Sequence, residues 1–401
     1  MRIGILTFHR SVNNGAVMQC YALSKRLKQD FPCDVIEVID YHMPRVERGY
    51  SATITQYFKG SSPILILKKA YHLLREPNMF KKARKRNAVF KNAVSKLPLS
   101  SNSIFDDGDD AIVNYINSHY DILVVGSDAV WNYIIRGFPN TYFPDERIKC
   151  HKLSYAASCY GMEFLNCPKE IRMRIGQILE EFEFIGVRDT ATDDFVKWSG
   201  CTKTPVHTCD PTAFLDVDDL PIDVNRLNEK LIRKGFDFNK PTIGVMGNEK
   251  MVKMIRKFYG NRYQVVALYN YTKGADIQLF DLEPYEWAYV FRYFSITFTT
   301  YFHGTMLSLR NGIPVICIAL ETEFAKQHIP KTLDVLSRLG YEDWYFRTDY
   351  FSENFNEIKE KADELLLKSN NKEIKEKIDK EAESYNVFRI ALATLKNVNQ
   401  F

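Results

Sequence analysis

Between Phe298 and Met306 the chain gathers one imidazole, His303, the hydroxyls of Thr300 and Thr305, the phenol of Tyr301 and a glycine, Gly304. A β-rich run at 295–299 precedes them, and apolar residues at helical spacing follow, stopped by Asn311-Gly312 and Pro314 before a second apolar run at 315–319. In such a β-loop-α-turn-β unit the loop at the carboxyl end of the first strand opens onto a helix amino end, where unpaired N–H groups and the helix dipole favour an anion. Gly304 would let the backbone approach a ligand. One reading puts a phosphate or carboxylate against the helix start with His303 beside it; the other makes His303 a hydrogen-bonded core or cap residue.

Other polar side chains stand at carboxyl strand ends. The buried-type run 121–125 ends in Gly126-Ser127-Asp128-Ala129-Val130-Trp131-Asn132, which brings a hydroxyl and a carboxylate to one turn. Asp128 either orients or deprotonates a sugar hydroxyl, or caps the next helical turn. Run 184–187 ends in Arg188-Asp189, where the planar guanidinium could hold a carboxylate or phosphate bidentately, or pair internally with Asp189 or another acid. Asn14 and Gly15 follow the first strand, and Asn248 follows the strand 241–246. These two places, with Ser127 and Trp131, are candidates for the acceptor or cleft side; the other reading of Asn14 and Gly15 is a loop pair that serves only the turn.

The elements that must position these groups alternate. A strand at 2–7, a helix at 17–28 and a strand at 34–39 open the chain as half of a doubly wound sheet. Strands at 152–157 and 206–209 and helices at 169–183 and 191–198 extend it. A charged helix and linker, 216–239, leads to a second α/β alternation with helices before 259 and at 283–293. With 401 residues, two domains are the default: 1–232, with a helical insert at 42–107, and 233–340, followed by a charged helical tail at 341–401 that packs back across both.

The formal net charge of +4 is unevenly spread. Eight Lys and three Arg face a single acid, Glu76, between Lys59 and Lys96, whereas the remainder holds 43 basic and 49 acidic residues. The spans 64–74 and 80–94 read as amphipathic basic helices broken around Pro77. They are either a solvated face or a surface for anionic lipid or another polyanion. No nucleic-acid reading motif accompanies the charge. Eight scattered cysteines without a C-x-x-C pair predict reduced, mostly packed thiols, and neither structural zinc nor a disulfide framework. Without a long apolar leader or span, the expected location is the cytoplasm, with peripheral contact at the inner membrane face.

In order and spacing, Asn13-Asn14-Gly15-Ala16, the Gly126–Asn132 turn, Gly186-Val187-Arg188-Asp189, Asp210-Pro211 and Phe302-His303-Gly304 resemble the polysaccharide pyruvyl transferase family, from the first strand to about Gly340. The resemblance implies two Rossmann-like domains facing across a cleft, a glycosyltransferase-B-like arrangement. It also implies transfer from phosphoenolpyruvate to a sugar of a cell-surface polysaccharide, or of its lipid-linked precursor, to form a pyruvate ketal. By position, Arg188 and His303 fall at the donor, with Thr300, Tyr301, Gly304 and Thr305 around them, and Asp128 near the reacting centre. Two positions depart from the family pattern: Tyr301 stands where many relatives carry Arg or Ser, and Ala129 where many carry Gln.

That chemistry needs cations, hydroxyls and helix-end N–H groups for a doubly anionic donor, plus a general acid and a general base. His303 is assigned to the donor as acid or phosphate-stabilising cation, and Asp128 to the acceptor hydroxyl. His303→Ala and Arg188→Ala are each expected to abolish transfer and leave the fold intact. No cofactor beyond the donor substrate and no metal is required. Two rivals remain: a nucleotide-sugar glycosyltransferase of the same architecture, and a non-catalytic glycan-binding relative. The first would place a carboxylate five residues before Gly312, where this chain has Leu307.

Overall fold

Short apolar runs, buried on both faces, become the strands of two parallel sheets. The computed structural model describes residues 1–43, 58, 61–75, 79–105, 110–319, 326–347 and 355–398. The first sheet takes β1 (Arg2–Leu6), β2 (Val35–Val38), β5 (Ile122–Val125), β6 (His151–Ala157), β7 (Phe184–Val187) and β8 (Val206–His207), in the order β2-β1-β5-β6-β7-β8. A small ladder of β3 (Tyr41–His42) and β4 (Ile104–Phe105) lies apart. Its helices are α1 (Asn14–Asp30), α2 (Pro63–Arg75), α3 (Met79–Val94), α4 (Asp110–His119), the single turn α5 (Tyr133–Arg136), α6 (Lys169–Glu180) and α7 (Thr190–Ser199). Along β5, Ile122 and Val124 enter one apolar core while Leu123 and Val125 enter the other. Both faces are covered, as a doubly wound sheet requires.

After α8 (Val224–Arg233), the second sheet takes β9 (Thr242–Met246), β10 (Gln264–Leu268), β11 (Ile277–Leu279), β12 (Ile296–Thr299), β13 (Val315–Ala319) and β14 (Tyr345–Arg347), ordered β11-β10-β9-β12-β13-β14. Between them lie α9 (Glu249–Tyr259), α10 (Pro284–Val290), α11 (Phe302–Arg310) and α12 (Lys331–Arg338). Strand order reverses between β1 and β5 in one sheet and between β9 and β12 in the other. Ligands of such sheets bind outside the carboxyl strand ends at that reversal. One apolar core continues from Ile3 and Val17 through Leu227 to Val245, Phe298 and Leu307, so the two Rossmann-like lobes are joined rather than merely linked.

Two expectations change. The second domain does not end at 340, because Tyr341 stacks on Trp344 (ring centres 3.9 Å apart) and the chain then adds β14 beside β13. The tail is three helices, α13 (Phe355–Lys368), α14 (Asn371–Ala382) and α15 (Tyr385–Val398), with Asn370 capping α14. It does cross both lobes: Asp363 accepts from the Tyr259 hydroxyl at 2.9 Å, and Phe388 packs on Tyr155 at 4.8 Å. In the insert, the break at Pro77 lies outside the described residues. Helix α3 is a strap between lobes more than a solvated face, since Lys85 pairs with Asp281 (2.6 Å) and the Tyr285 hydroxyl donates to the Ala93 carbonyl (2.9 Å). Lys96, just beyond α3, pairs with Glu283 (2.7 Å).

Candidate active site

The turn after β5 carries Asp128 into the first strand-order reversal. Its backbone is left-handed, φ 77°, a conformation Asp tolerates better than most residues. The N–H groups of Val130 (2.7 Å) and Ser158 (2.9 Å) fix it by donating to the Asp128 carbonyl. The carboxylate accepts from the Ala129 N–H at 2.8 Å, and the next helical turn is capped by Asn132 instead. The capping alternative for Asp128 therefore falls away. Burial alone would raise this carboxyl, but Arg188, Lys331 and His303 outweigh it and keep it below its ordinary value.

Arg188 leaves the end of β7 and is 1% exposed. One nitrogen, Nη1, donates to Asp210 at 3.1 Å, and the carboxylates of Asp128 (3.9 Å) and Asp189 (3.7 Å) stand close by. Its Nε and Nη2 have no hydrogen-bond partner among the described residues. The guanidinium lies over the Phe302 ring of the other lobe, 4.8 Å from its centre. Burial works against the charge, yet Asp210, Asp128 and Asp189 hold the guanidinium above its usual value. Asp189 caps α7 through the Thr192 N–H (3.0 Å), and Asp210 caps the turn Pro211–Phe214 through the Thr212 N–H (3.0 Å) and takes the Gln19 amide. Arg188 is thus ion-paired, as one reading of the sequence has it, while two of its nitrogens make no hydrogen bond among the described residues.

From the second lobe, α11 presents His303 one residue into the helix, after Tyr301 at the N-cap position. The residue keeps partial exposure while Nδ1 is buried and unpartnered. Burial, then Arg188 and Lys331, lower the imidazole to about 4 against the pull of Asp210 and Asp128. The direction matches that expected for a helix amino end, but burial is the main cause. In this state His303 is neutral at pH 7.

Gly15, at the start of α1, closes the space between lobes. A Cβ there would fall 1.8 Å from His303 Cδ2 and 2.4 Å from Nε2, so only a hydrogen fits against the imidazole. Gly15→Ala is expected to displace the ring and to cost about 1–3 kcal/mol by overpacking. Thermal unfolding checks this; a parental midpoint would refute the contact.

Lys331, the first residue of α12, completes the cluster and was not found from sequence. Its Nζ lies 4.4 Å from the centre of the Tyr160 ring and 5.1 Å from that of Phe302. Burial, then Arg188, push it down to about 8 against Asp128, Asp189 and Asp210. A lysine just after Pro330, in the first turn of a helix, opposes the helix dipole, and that mismatch was the available signal.

Asp128, Arg188, His303 and Gly15 are thus brought together, and the buried, unpartnered Ser127 Oγ and buried Asn14 lie beside them in the same turns. Several expected residues serve the fold instead. Trp131 is fully buried, donates to the Tyr142 carbonyl (3.1 Å) and stacks on Phe143, so it is core and not cleft. Thr305 turns its hydroxyl inward to Cys317 Sγ (3.0 Å), and Thr300 directs its own to the Met246 carbonyl (3.4 Å). A Cβ on Gly304 would lie 2.4 Å from Thr299 Oγ1, so this glycine seats α11 on β12 rather than admitting a ligand. Asn248 is an exposed cap of α9, its Oδ1 accepting from Lys250 N–H (3.0 Å) and Met251 N–H (3.2 Å). Tyr301 forms part of the outer rim: its hydroxyl takes the Asn270 amide (3.3 Å), its ring faces Tyr269 (5.3 Å), and Arg86 of α3 lies over Tyr269 (4.5 Å).

UDP-GlcNAc 2-epimerase from Neisseria meningitidis, solved with UDP-GlcNAc, has the same fold at 9% identity, with a TM-score of 0.52 over 98% of this chain and 100% of that one. The ADP-heptose LPS heptosyltransferase II of E. coli is 11% identical over 92% of this chain and 99% of its own, with a TM-score of 0.41. No curated protein matches the chain in sequence. The family model described as polysaccharide pyruvyl transferase matches residues 13–322, which is most of the chain and includes all of the clustered residues except Lys331. By that match the chain belongs to the polysaccharide pyruvyl transferase family.

Proposed function

We propose that the protein moves the pyruvyl group of phosphoenolpyruvate onto a sugar of a cell-surface polysaccharide or its lipid-linked precursor, and closes it as a ketal. One observation carries this reading: two cations and an imidazole from both lobes converge, and among the described residues three of their buried nitrogens, Arg188 Nε and Nη2 and His303 Nδ1, lack partners. Buried polar groups are ordinarily satisfied, so an unmet set of donors on this scale points to a ligand rich in acceptors. Lys331 and His303 are both held below their ordinary values, first by burial and then by neighbouring cations, so an anion bound beside them would favour their charged forms. A small molecule bearing a carboxylate and a phosphate supplies such groups.

In this scheme Arg188 takes one anionic group in its spare fork and Lys331 the other. The bound anion raises His303, which then carries a proton at neutral pH and delivers it to C3 of the enol. C2 becomes electrophilic, and an acceptor hydroxyl held by Asp128 attacks it, its proton restoring the one that His303 gave to C3. Since Asp128 sits below its ordinary value, it orients that hydroxyl by accepting its hydrogen bond more than it acts as a strong base. The C2–O bond to phosphate then breaks, a second hydroxyl of the same sugar closes the ring, and its proton leaves with phosphate. Overall, two hydroxyl protons are consumed: one completes the methyl group and one goes to the leaving group.

Lys331 makes the donor step pH-dependent. It is charged below about 8 and neutral above, so KM for phosphoenolpyruvate should climb above that pH, approaching about tenfold per unit. Lys331→Arg, charged throughout, should flatten the climb, and a parental KM that is constant across the range would remove Lys331 from donor binding.

The reading as a whole is tested by phosphate release from phosphoenolpyruvate with galactosyl or mannosyl acceptors, run beside turnover of UDP-sugars. Release that depends on acceptor supports it; turnover of a UDP-sugar alone would favour a conventional glycosyltransferase. For that rival, Leu307 offers no help, being an apolar side chain fully buried in the core.

A further inference from the structure

The helix α2 carries its apolar stripe on the outside. Ile64, Leu67, Tyr71 and Leu74 recur at intervals of three and four residues, hence on one face, and are 70%, 72%, 59% and 81% exposed. Lys69 and Leu73, on the opposite face, are more covered. An amphipathic helix that belonged only to a folded core would be turned the other way round. Exposed Lys68 borders the stripe, and the whole segment from Lys59 to Lys96 holds eleven cations against one acid. Among the described residues no helix is long and apolar enough to cross a membrane, so a helix of this type lies along a surface.

We infer that α2 seats the protein on an anionic phospholipid surface, with Ile64, Leu67, Tyr71 and Leu74 inserted among the headgroups and Lys68 against their phosphates. The alternation is what the chemistry of such a surface asks for: apolar side chains reach below the headgroups and cations lie at their level. The division of labour within the insert supports it. Lys85 of α3, and Lys96 just beyond it, are committed to Asp281 and Glu283 of the second lobe, while the stripe of α2 is presented to solvent. The insert thereby joins the surface-facing helix, through α3, to the lobe that carries His303. A lipid-linked acceptor would be met at that surface, although the docking itself does not depend on the donor chemistry.

Flotation of the full chain with vesicles of equimolar phosphatidylcholine and phosphatidylglycerol at low ionic strength tests the inference, read without donor or acceptor. Binding is expected to these vesicles, not to phosphatidylcholine alone, and to weaken with added salt. Leu67→Glu combined with Leu74→Glu should lower binding by about tenfold or more, and Lys68→Glu less. Both variants should keep the parental circular dichroism spectrum, since the altered side chains are exposed. Failure of the parent to float, or flotation of the double variant equal to the parent, would overturn the inference. So would a parental dimer that the double variant dissociates without any change in vesicle binding, because a second copy would then be what covers the stripe.

Discussion

Arg188→Ala is expected to eliminate transfer and, at the same time, to destabilise the protein by about 3–5 kcal/mol, the range for removing one partner of a buried charge network. The guanidinium is almost wholly buried and stands among three carboxylates, with a direct hydrogen bond to Asp210. Without it, Asp128, Asp189 and Asp210 face each other in a place where solvent cannot screen them. From sequence alone the substitution was expected to spare the fold; the burial of Arg188 reverses that part of the expectation. Arg188→Lys separates the two effects. A lysine keeps a charge for Asp210 and so recovers part of the stability, yet it cannot replace the spare Nε and Nη2 donors, and transfer should stay lost. Urea unfolding of each variant beside phosphate release from phosphoenolpyruvate decides the matter; an Arg188→Ala protein as stable as the parent would mean that the carboxylates are not held by this residue.

His303→Gln should behave in the opposite way, losing about 10²–10⁴-fold in kcat for phosphate release with little change in unfolding. The ring is neutral in the free protein and its Nδ1 makes no hydrogen bond, so little stability resides in it. Its proton should appear only with the donor. The imidazole sits at about 4 when free, and a phosphate placed beside it must raise it, so between that value and the raised one the complex holds a proton that the free protein does not. Titration calorimetry of phosphoenolpyruvate at a weakly acidic to neutral pH, in buffers of different ionisation enthalpy, should report proton uptake approaching one per donor bound. The uptake should vanish in His303→Gln. Undiminished uptake in that variant would assign the proton to another group.

Strands and strand ends were legible because the signal is local. A run such as Ile122–Val125 has no polar residue to face solvent, which leaves only a strand buried on both sides, and parallel winding then sends its carboxyl end to the crevice. Asp128, Arg188 and His303 were therefore placed at carboxyl strand ends by position alone. Lys331 was not, since its meaning depends on α12 folding back over Phe302 and Tyr160, contacts made across long stretches of chain. Trp131 and Thr305 misled for the complementary reason: adjacency to a site in sequence does not say which way a side chain points, and both point into the core. The basic insert read as one surface because its acidic partners, Asp281 and Glu283, are almost two hundred positions further on.

The placement of α15 has a bearing on how the molecule is made. Phe388 of this helix packs on Tyr155 and on Phe184, side chains of the first sheet. A ribosome delivers that sheet before α15, so the nascent first lobe keeps an apolar flank uncovered until α15 is made. The flank is sealed when that later helix reaches back to it.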